Sequence, residues 1–355
     1  MHRNSLALLT LAVAMVVLTV AAAAQAAPND PLYGPHQWGP KQIKAEQAWA
    51  TSTGAGQTIA IVDSGVDLSH PDLAGKIVGG ATFTGCANNG PCGNGDWESG
   101  GQAGQPASPH GTHVAGIAAA TTGNGVGIAG VAPDARLLAV KVLTEEGGTF
   151  EEIAAGIRWS VENGADVINL SLGALPGVQA LPIVGLVADA KEAIDYAVSR
   201  GVVVIAAAGN DFASICGEPA FNANALCVVA TDRLEGRSAY SNFAVGQGMN
   251  VVAAPGGAAV LACSEDIVST VPAGAEGTCS TQSSTPGYDF YAGTSMATPH
   301  VAGAAALLTT QGRSVVDVYR VLKQTARTPG AATRGTYTPT YGFGIIDAAA
   351  AVAAP

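Results

Sequence analysis

The sequence predicts an α/β fold, a doubly wound, mostly parallel sheet with helices on both faces. Three observations predict it. Short, near-continuous apolar runs recur along the chain, amphipathic or alanine-rich helical patterns separate them, and 46 glycines and 19 prolines punctuate the joints. Apolar runs spaced by helices belong to a parallel sheet that is covered on both faces. No low-complexity linker or repeat divides the exported part, so residues 28–355 are expected to form one domain.

The elements follow in order. Thr58 to Val62 reads as a buried strand, and His110 to Ala120 as a helix of small residues. Leu137 to Val142 is a strand, and Phe150 to Glu162 is an amphipathic helix with Ile153, Ile157 and Val161 on one face. Val167 to Leu170 is the next strand, Asp189 to Ser199 a helix, and Val202 to Ala207 a strand. Leu226 to Thr231 and Asn250 to Ala253 read as further strands, followed by helices from Ser295 to about Gln311 and from Ser314 to Ala326. In such sheets functional residues collect beyond the carboxyl ends of the strands.

Residues 1–27 read as an export signal, with a basic start at His2 and Arg3, an apolar run from Leu6 to Ala24, and small residues at Ala26 and Ala27. A single membrane anchor is the rival reading, but alanines and Pro28 follow where a stop-transfer segment would carry basic residues. After cleavage no membrane contact is expected. The formal charge of -11 and the absence of a basic patch exclude nucleic acid and anionic lipid as natural partners. Cys86, Cys92, Cys216, Cys227, Cys263 and Cys279 all lie in the exported part, and an even count there suggests disulfides. Nearest-neighbour pairing is expected because each pair brackets one polar or Gly-rich loop. Zinc is the alternative, without a C-x-x-C or Cys-His cluster to support it.

Three segments could carry chemistry. Asp63 follows four apolar residues and closes the first strand at Asp63-Ser64-Gly65, where a buried carboxylate needs a partner. His110 opens the helix of Pro109-His110-Gly111-Thr112-His113-Val114-Ala115-Gly116, and Gly111 leaves room for close approach. Ser295 stands at the first turn of a buried helix in Gly293-Thr294-Ser295-Met296-Ala297-Thr298-Pro299-His300. Each alone has an ordinary structural explanation: a strand-closing Asp, a helix-capping His, an N-cap Ser. His113 reads as a packed core histidine. Together they offer a hydroxyl nucleophile, an imidazole base and a carboxylate to orient the base, in the order Asp, His, Ser.

These three blocks closely resemble the signatures of subtilisin-like serine proteases, and the similarity covers nearly the whole exported chain. Pro28-Asn29-Asp30-Pro31 and Gly39-Pro40 resemble the thermitase branch. The resemblance implies a secreted endopeptidase with Asp63, His110 and Ser295 as triad, and Ala206-Ala207-Ala208-Gly209-Asn210 as the block whose Asn210 helps hold the oxyanion. It implies that Asn169-Leu170-Ser171-Leu172-Gly173 pairs with substrate backbone as an added strand, so Ser171, Leu172 and Gly173 are substrate-binding candidates. Ala207, Ala208, Gly209 and Gly217 would line an apolar pocket for a large side chain before the scissile bond.

Calcium is the structural cofactor implied, held by Asp30, Asp72, the Asn124 amide and the carbonyls of Thr121, Val126 and Ile128. A solvated Gly-rich turn is the alternative. No catalytic cofactor is expected, and the partners are protein and peptide substrates met by a monomer. The expected start at Pro28 leaves no room for the long pro-region usual in this family. Two regions, Thr84 to Pro109 and Gly256 to Tyr288, look enlarged. A silent peptide-binding module would not need the four residues Asp63, His110, Asn210 and Ser295. An α/β-hydrolase esterase would need a Gly-x-Ser-x-Gly elbow and a different chain order.

Overall fold

The computed structural model describes residues 27–85, 104–173, 188–246, 248–260, 262–275, 277, 279 and 285–355. Its centre is a seven-stranded, wholly parallel sheet of β1 (Thr58–Asp63), β2 (Ile77–Thr82), β3 (Arg136–Lys141), β4 (Val167–Leu170), β5 (Val203–Ala207), β6 (Leu226–Thr231) and β7 (Val251–Pro255), in the order β2-β3-β1-β4-β5-β6-β7. Strand residues from β4 to β7 are buried throughout, which explains why these segments are apolar apart from Asn169 and Thr231.

Helices α1 (Gly39–Gln42) and α2 (Ala45–Ala48) precede the sheet. Then come α3 (His110–Ala119), α4 (Phe150–Glu162), α5 (Ala188–Ser199), α6 (Thr294–Thr309), α7 (Val315–Thr325) and α8 (Ala348–Ala353). α3 and α6 pack on each other and on the sheet, while α4 and α5 form a second packed pair against it. α4 starts where the sequence says it should. Thr149 accepts the Glu152 N–H at 3.2 Å and Glu152 accepts the Thr149 N–H at 2.8 Å, a reciprocal capping box.

β1 lies between β3 and β4: the chain runs from β1 to the edge strand β2, returns through β3, and then crosses to build β4 to β7 outward on the other side. The crevice beyond the carboxyl ends of β1 and β4 is therefore the switch point where doubly wound sheets bind ligands. Two features were not legible. β2 is interrupted by Gly79 and Gly80, and a hairpin of β8 (Ile267–Thr270) and β9 (Tyr288–Tyr291) occupies part of the region read as an enlarged loop. β8 and β9 mix polar Ser269, Thr270 and Asp289 with their apolar residues, which leaves no apolar run to recognise. Residues 1–26, which hold nearly all of the leader segment, lie outside the described residues, as do Cys86 and Cys92.

Candidate active site

Asp63 is the last residue of β1 and is fully buried. Its Oδ1 accepts the Ser64 N–H at 2.7 Å and faces His110 Nδ1 at 2.8 Å. His110 is the first residue of α3, with its side chain 31% exposed. A Cβ on Gly111 would stand 2.2 Å from the Gly65 carbonyl, so only glycine lets α3 begin this close to the end of β1. Burial disfavours the imidazolium of His110, but the charge of Asp63 and the hydrogen bond to it outweigh that, and the pKa is raised above the ordinary value. His113, one turn on, is a core residue as expected. It is stacked on Tyr291 with its Nε2 shared between the Ile267 and Asp289 carbonyls.

Ser295 lies in the first turn of α6, whose leading residue is Thr294. Its hydroxyl donates to the Ser171 carbonyl at 3.2 Å, and among the described residues no hydrogen bond joins it to His110. The first N–H groups of a helix have no partner inside it. Here the Thr294 N–H donates to Asn210 Oδ1 at 2.9 Å, and those of Met296 and Ala297 reach the Gly293 carbonyl. The Ser295 N–H meets no acceptor among the described residues. Two donations from Thr294, the second from Oγ1 at 3.0 Å, fix the Asn210 amide with its oxygen inward, which leaves Nδ2 free to donate. A carbon built on Gly293 would sit 3.6 Å from both Asn210 Nδ2 and the Ser295 nitrogen, so the two donors border one small space that the glycine keeps open.

Ser171, Leu172 and Gly173 continue directly from β4 and separate two cavities. One, of about 440 Å³, is lined on its other sides by His110, Leu143, Phe150 and Ile153. The other, of about 260 Å³, is lined by Ala207, Gly209, Asn210, Asp211, Thr294 and Ser295. The first is mainly apolar in its walls; the second is mainly polar, unlike the apolar pocket expected, because Asn210, Asp211, Thr294 and Ser295 line it, and Asp211 is a residue the sequence reading did not single out. Ala208 and Gly217 do not line it. Both are buried, and the Gly217 N–H donates to the Ala208 carbonyl at 2.8 Å, so they back the wall rather than face the space. Behind them Cys216 is bonded to Cys227 of β6, and Cys263 is bonded to Cys279.

Residues 54–344 match the Subtilase family. The chain belongs to that family. Thermitase from Thermoactinomyces vulgaris is 42% identical over 300 residues, covering 84% of this chain and 91% of its own. A thermophilic serine proteinase from a Bacillus strain is 39% identical over 301 residues, 84% of this chain and 64% of its own length. A solved protease from Pseudoalteromonas arctica superposes with a TM-score of 0.72 at 34% identity, over 92% of this chain and 99% of that one. The subtilase is thus a serine endopeptidase of the thermitase branch, on a subtilisin-like fold.

Structural calcium is a property of subtilases, and the loop at 121–128 is where this chain would hold it. Asp72 is fully buried, its Oδ1 accepting from Asn124 Nδ2 at 2.9 Å and its Oδ2 from the Ile128 N–H at 2.9 Å and the Tyr288 hydroxyl at 3.1 Å. Asp30 accepts the Gly123 and Asn124 N–H groups. Burial pushes Asp72 up to about 6, with the charge of Asp30 adding to the rise, and burial raises Asp30 as well. Neither carboxylate joins a salt bridge among the described residues. The carbonyls of Thr121, Val126 and Ile128 accept no hydrogen bond among the described residues. Two uncompensated carboxylates beside unspent carbonyl oxygens fit a hard cation. One detail differs from the expectation: the Asn124 amide oxygen takes the Val126 N–H, so its nitrogen, not its oxygen, faces Asp72. Among the described residues no third carboxylate, His or Cys completes a metal cluster, so neutral oxygens would supply the rest. Gly127 is fixed by its neighbour, since a Cβ there would lie 2.0 Å from the Tyr288 hydroxyl oxygen.

Proposed function

We propose that this subtilase is a secreted endopeptidase that cleaves proteins through an Asp63-His110-Ser295 triad, with Asn210 and the Ser295 N–H as the oxyanion hole. One observation carries the reading. At a single sheet edge, a buried Asp63 carboxylate faces His110 Nδ1 at 2.8 Å, while the first turn of α6 leaves the Ser295 N–H unspent beside Asn210 Nδ2. With Nδ1 engaged by Asp63, the other ring nitrogen of His110 is the one that can take a proton.

Substrate would lie along Ser171 to Gly173 and place its carbonyl carbon at Ser295. The Ser295 hydroxyl turns from the Ser171 carbonyl to His110 Nε2, which takes its proton as Oγ attacks. Asp63 keeps the imidazole in the right tautomer and stabilises the imidazolium. The carbonyl oxygen becomes an oxyanion facing Asn210 Nδ2 and the Ser295 N–H. His110 then protonates the leaving amine, and water, deprotonated by the same imidazole, releases the acyl group. No step needs a metal. Calcium would be structural, bound by Asp72 and Asp30 with the carbonyls of Thr121, Val126 and Ile128 and a reoriented Asn124 amide.

Small residues at Ala207 and Gly209 support acceptance of large apolar side chains before the scissile bond. The test is hydrolysis of a chromogenic peptide with phenylalanine at that position by residues 28–355 in calcium. Wild type should cleave it, and Ser295→Ala and sulfonyl-fluoride-treated enzyme should not. A folded wild type that cleaves neither the peptide nor unfolded casein would overturn the proposal and favour a silent peptide-binding module.

A further inference from the structure

Pro299 stands inside α6, four residues after Ser295. A proline there has no N–H to give to the carbonyl of residue i−4, and its ring crowds that carbonyl outward. The carbonyl it deprives is that of Ser295. An acceptor at a buried helix start that loses its donor costs stability unless another group replaces it. Here the replacement comes from outside the helix. The Ser171 hydroxyl donates to the Ser295 carbonyl at 2.8 Å. Having one proton to give, it can receive only as an acceptor, and Asn169 Nδ2 donates to it at 2.9 Å.

Asn169 is the one polar residue of β4 and is fully buried, in register with Ile61 of β1 and Ile205 of β5. Its Oδ1 has no partner among the described residues. An apolar residue would fill a mid-sheet position without that penalty, so a requirement for the amide nitrogen explains its presence. The bonds between Ser171 and Ser295 also run both ways, since the Ser295 hydroxyl donates to the Ser171 carbonyl at 3.2 Å.

We propose that Asn169 and the Ser171 hydroxyl are positioning residues that supply, from the rigid centre of the sheet, the hydrogen bond that Pro299 withholds from the Ser295 carbonyl. The relay fixes the peptide plane that follows Ser295, and with it the direction of the nucleophile's side chain relative to the wall that binds substrate. This rests on Ser295 being the nucleophile. An ordinary continuous helix would hold that carbonyl by its own ladder. The proline leaves it to β4, so the strand that borders the substrate and the helix that carries the hydroxyl are joined at the reacting residue.

The test is a double-mutant cycle read in kcat and KM, with rates normalised to active sites titrated by a sulfonyl fluoride. Ser171→Ala should lower kcat about tenfold, the effect of losing one buried hydrogen bond, and change KM less than about twofold. Ser171→Thr keeps a hydroxyl and should retain most of kcat. Pro299→Ala restores an N–H four residues after Ser295, and in that background Ser171→Ala should cost less than about twofold. Asn169→Ala should follow the same pattern with a smaller loss. Equal losses with and without Pro299, or an unchanged kcat in Ser171→Ala, would overturn the relay. Mass-spectrometric location of the sulfonyl label separates the two readings: a label away from Ser295 overturns the nucleophile assignment and the relay with it, whereas a label on Ser295 with no coupling overturns the relay alone.

Discussion

To serve as the proposed proton acceptor His110 has to be neutral, and Asp63 holds its pKa above the ordinary histidine value of 6.5. Activity should therefore fall as pH drops through a value higher than 6.5, and the acid limb of kcat/KM measures it. In Asp63→Asn the raising charge is gone, so the limb should move to lower pH along with the large loss in kcat. His113 and His300, lowered by burial to about 3 and about 4, stay neutral across that range and cannot be mistaken for it. Asp63, His110, Ser295 and Asn210 were legible because each stands at the end of an element in a recognisable block. Asn169 was not legible in its positioning role. A single amide within Val167-Ile168-Asn169-Leu170 gives no hint of which carbonyl it serves until the proline four residues beyond Ser295 is seen to withhold a donor.

Elements with strong local chemistry were readable to within a residue or two: α4 with its capping box, and β4 and β6 with their mostly apolar, fully buried runs. β2 and the β8–β9 pair were not, since glycines or interspersed polar residues erase the pattern and tertiary packing makes them strands. The loop at 121–128 belongs to the same scale. A carboxyl raised to about 6 in the folded state binds its proton more tightly there than in the unfolded chain, so the contribution of Asp72 to the stability of metal-free protein falls as pH rises from about 4 to about 6. Asp72→Asn removes the buried charge. In chelator at pH 7 it should melt at or above wild type, whereas in millimolar calcium wild type should melt higher and the variant should gain little. Calorimetry in the two buffers checks both signs; a variant stabilised by calcium as much as wild type would remove Asp72 from the ligand set.

For the whole molecule the buried histidines decide acid tolerance. Around pH 5 an unfolded chain protonates His113 and His300, which the fold keeps neutral, so unfolding takes up about two protons from them. His70, lowered by its burial, adds in the same direction, while metal-free Asp72 releases about one. His110, raised, is protonated in both states there and contributes nothing. Against Asp72 alone the rings of His113 and His300 should lower stability as pH falls from 6 to 4 by about 1.4 kcal/mol per unit, and the raised carboxyls of Asp30, Asp166, Glu218 and Asp266 reduce that slope. Denaturant unfolding of the Ser295→Ala protein over that range, with and without His300→Gln, isolates the part due to that ring, and an unchanged slope would contradict its burial. The inactive variant is used for a reason that follows from the loop at 121–128. It draws together Asp30, Asp72 and Tyr288, from three separate stretches of the chain, so if the proposed calcium is bound there its release would loosen all three at once. An enzyme that digests loosened polypeptide then finds its own metal-depleted copies the nearest food. Loss of activity in chelator becomes a collision between two molecules, second order in enzyme, and a concentrated stock should die sooner than a dilute one.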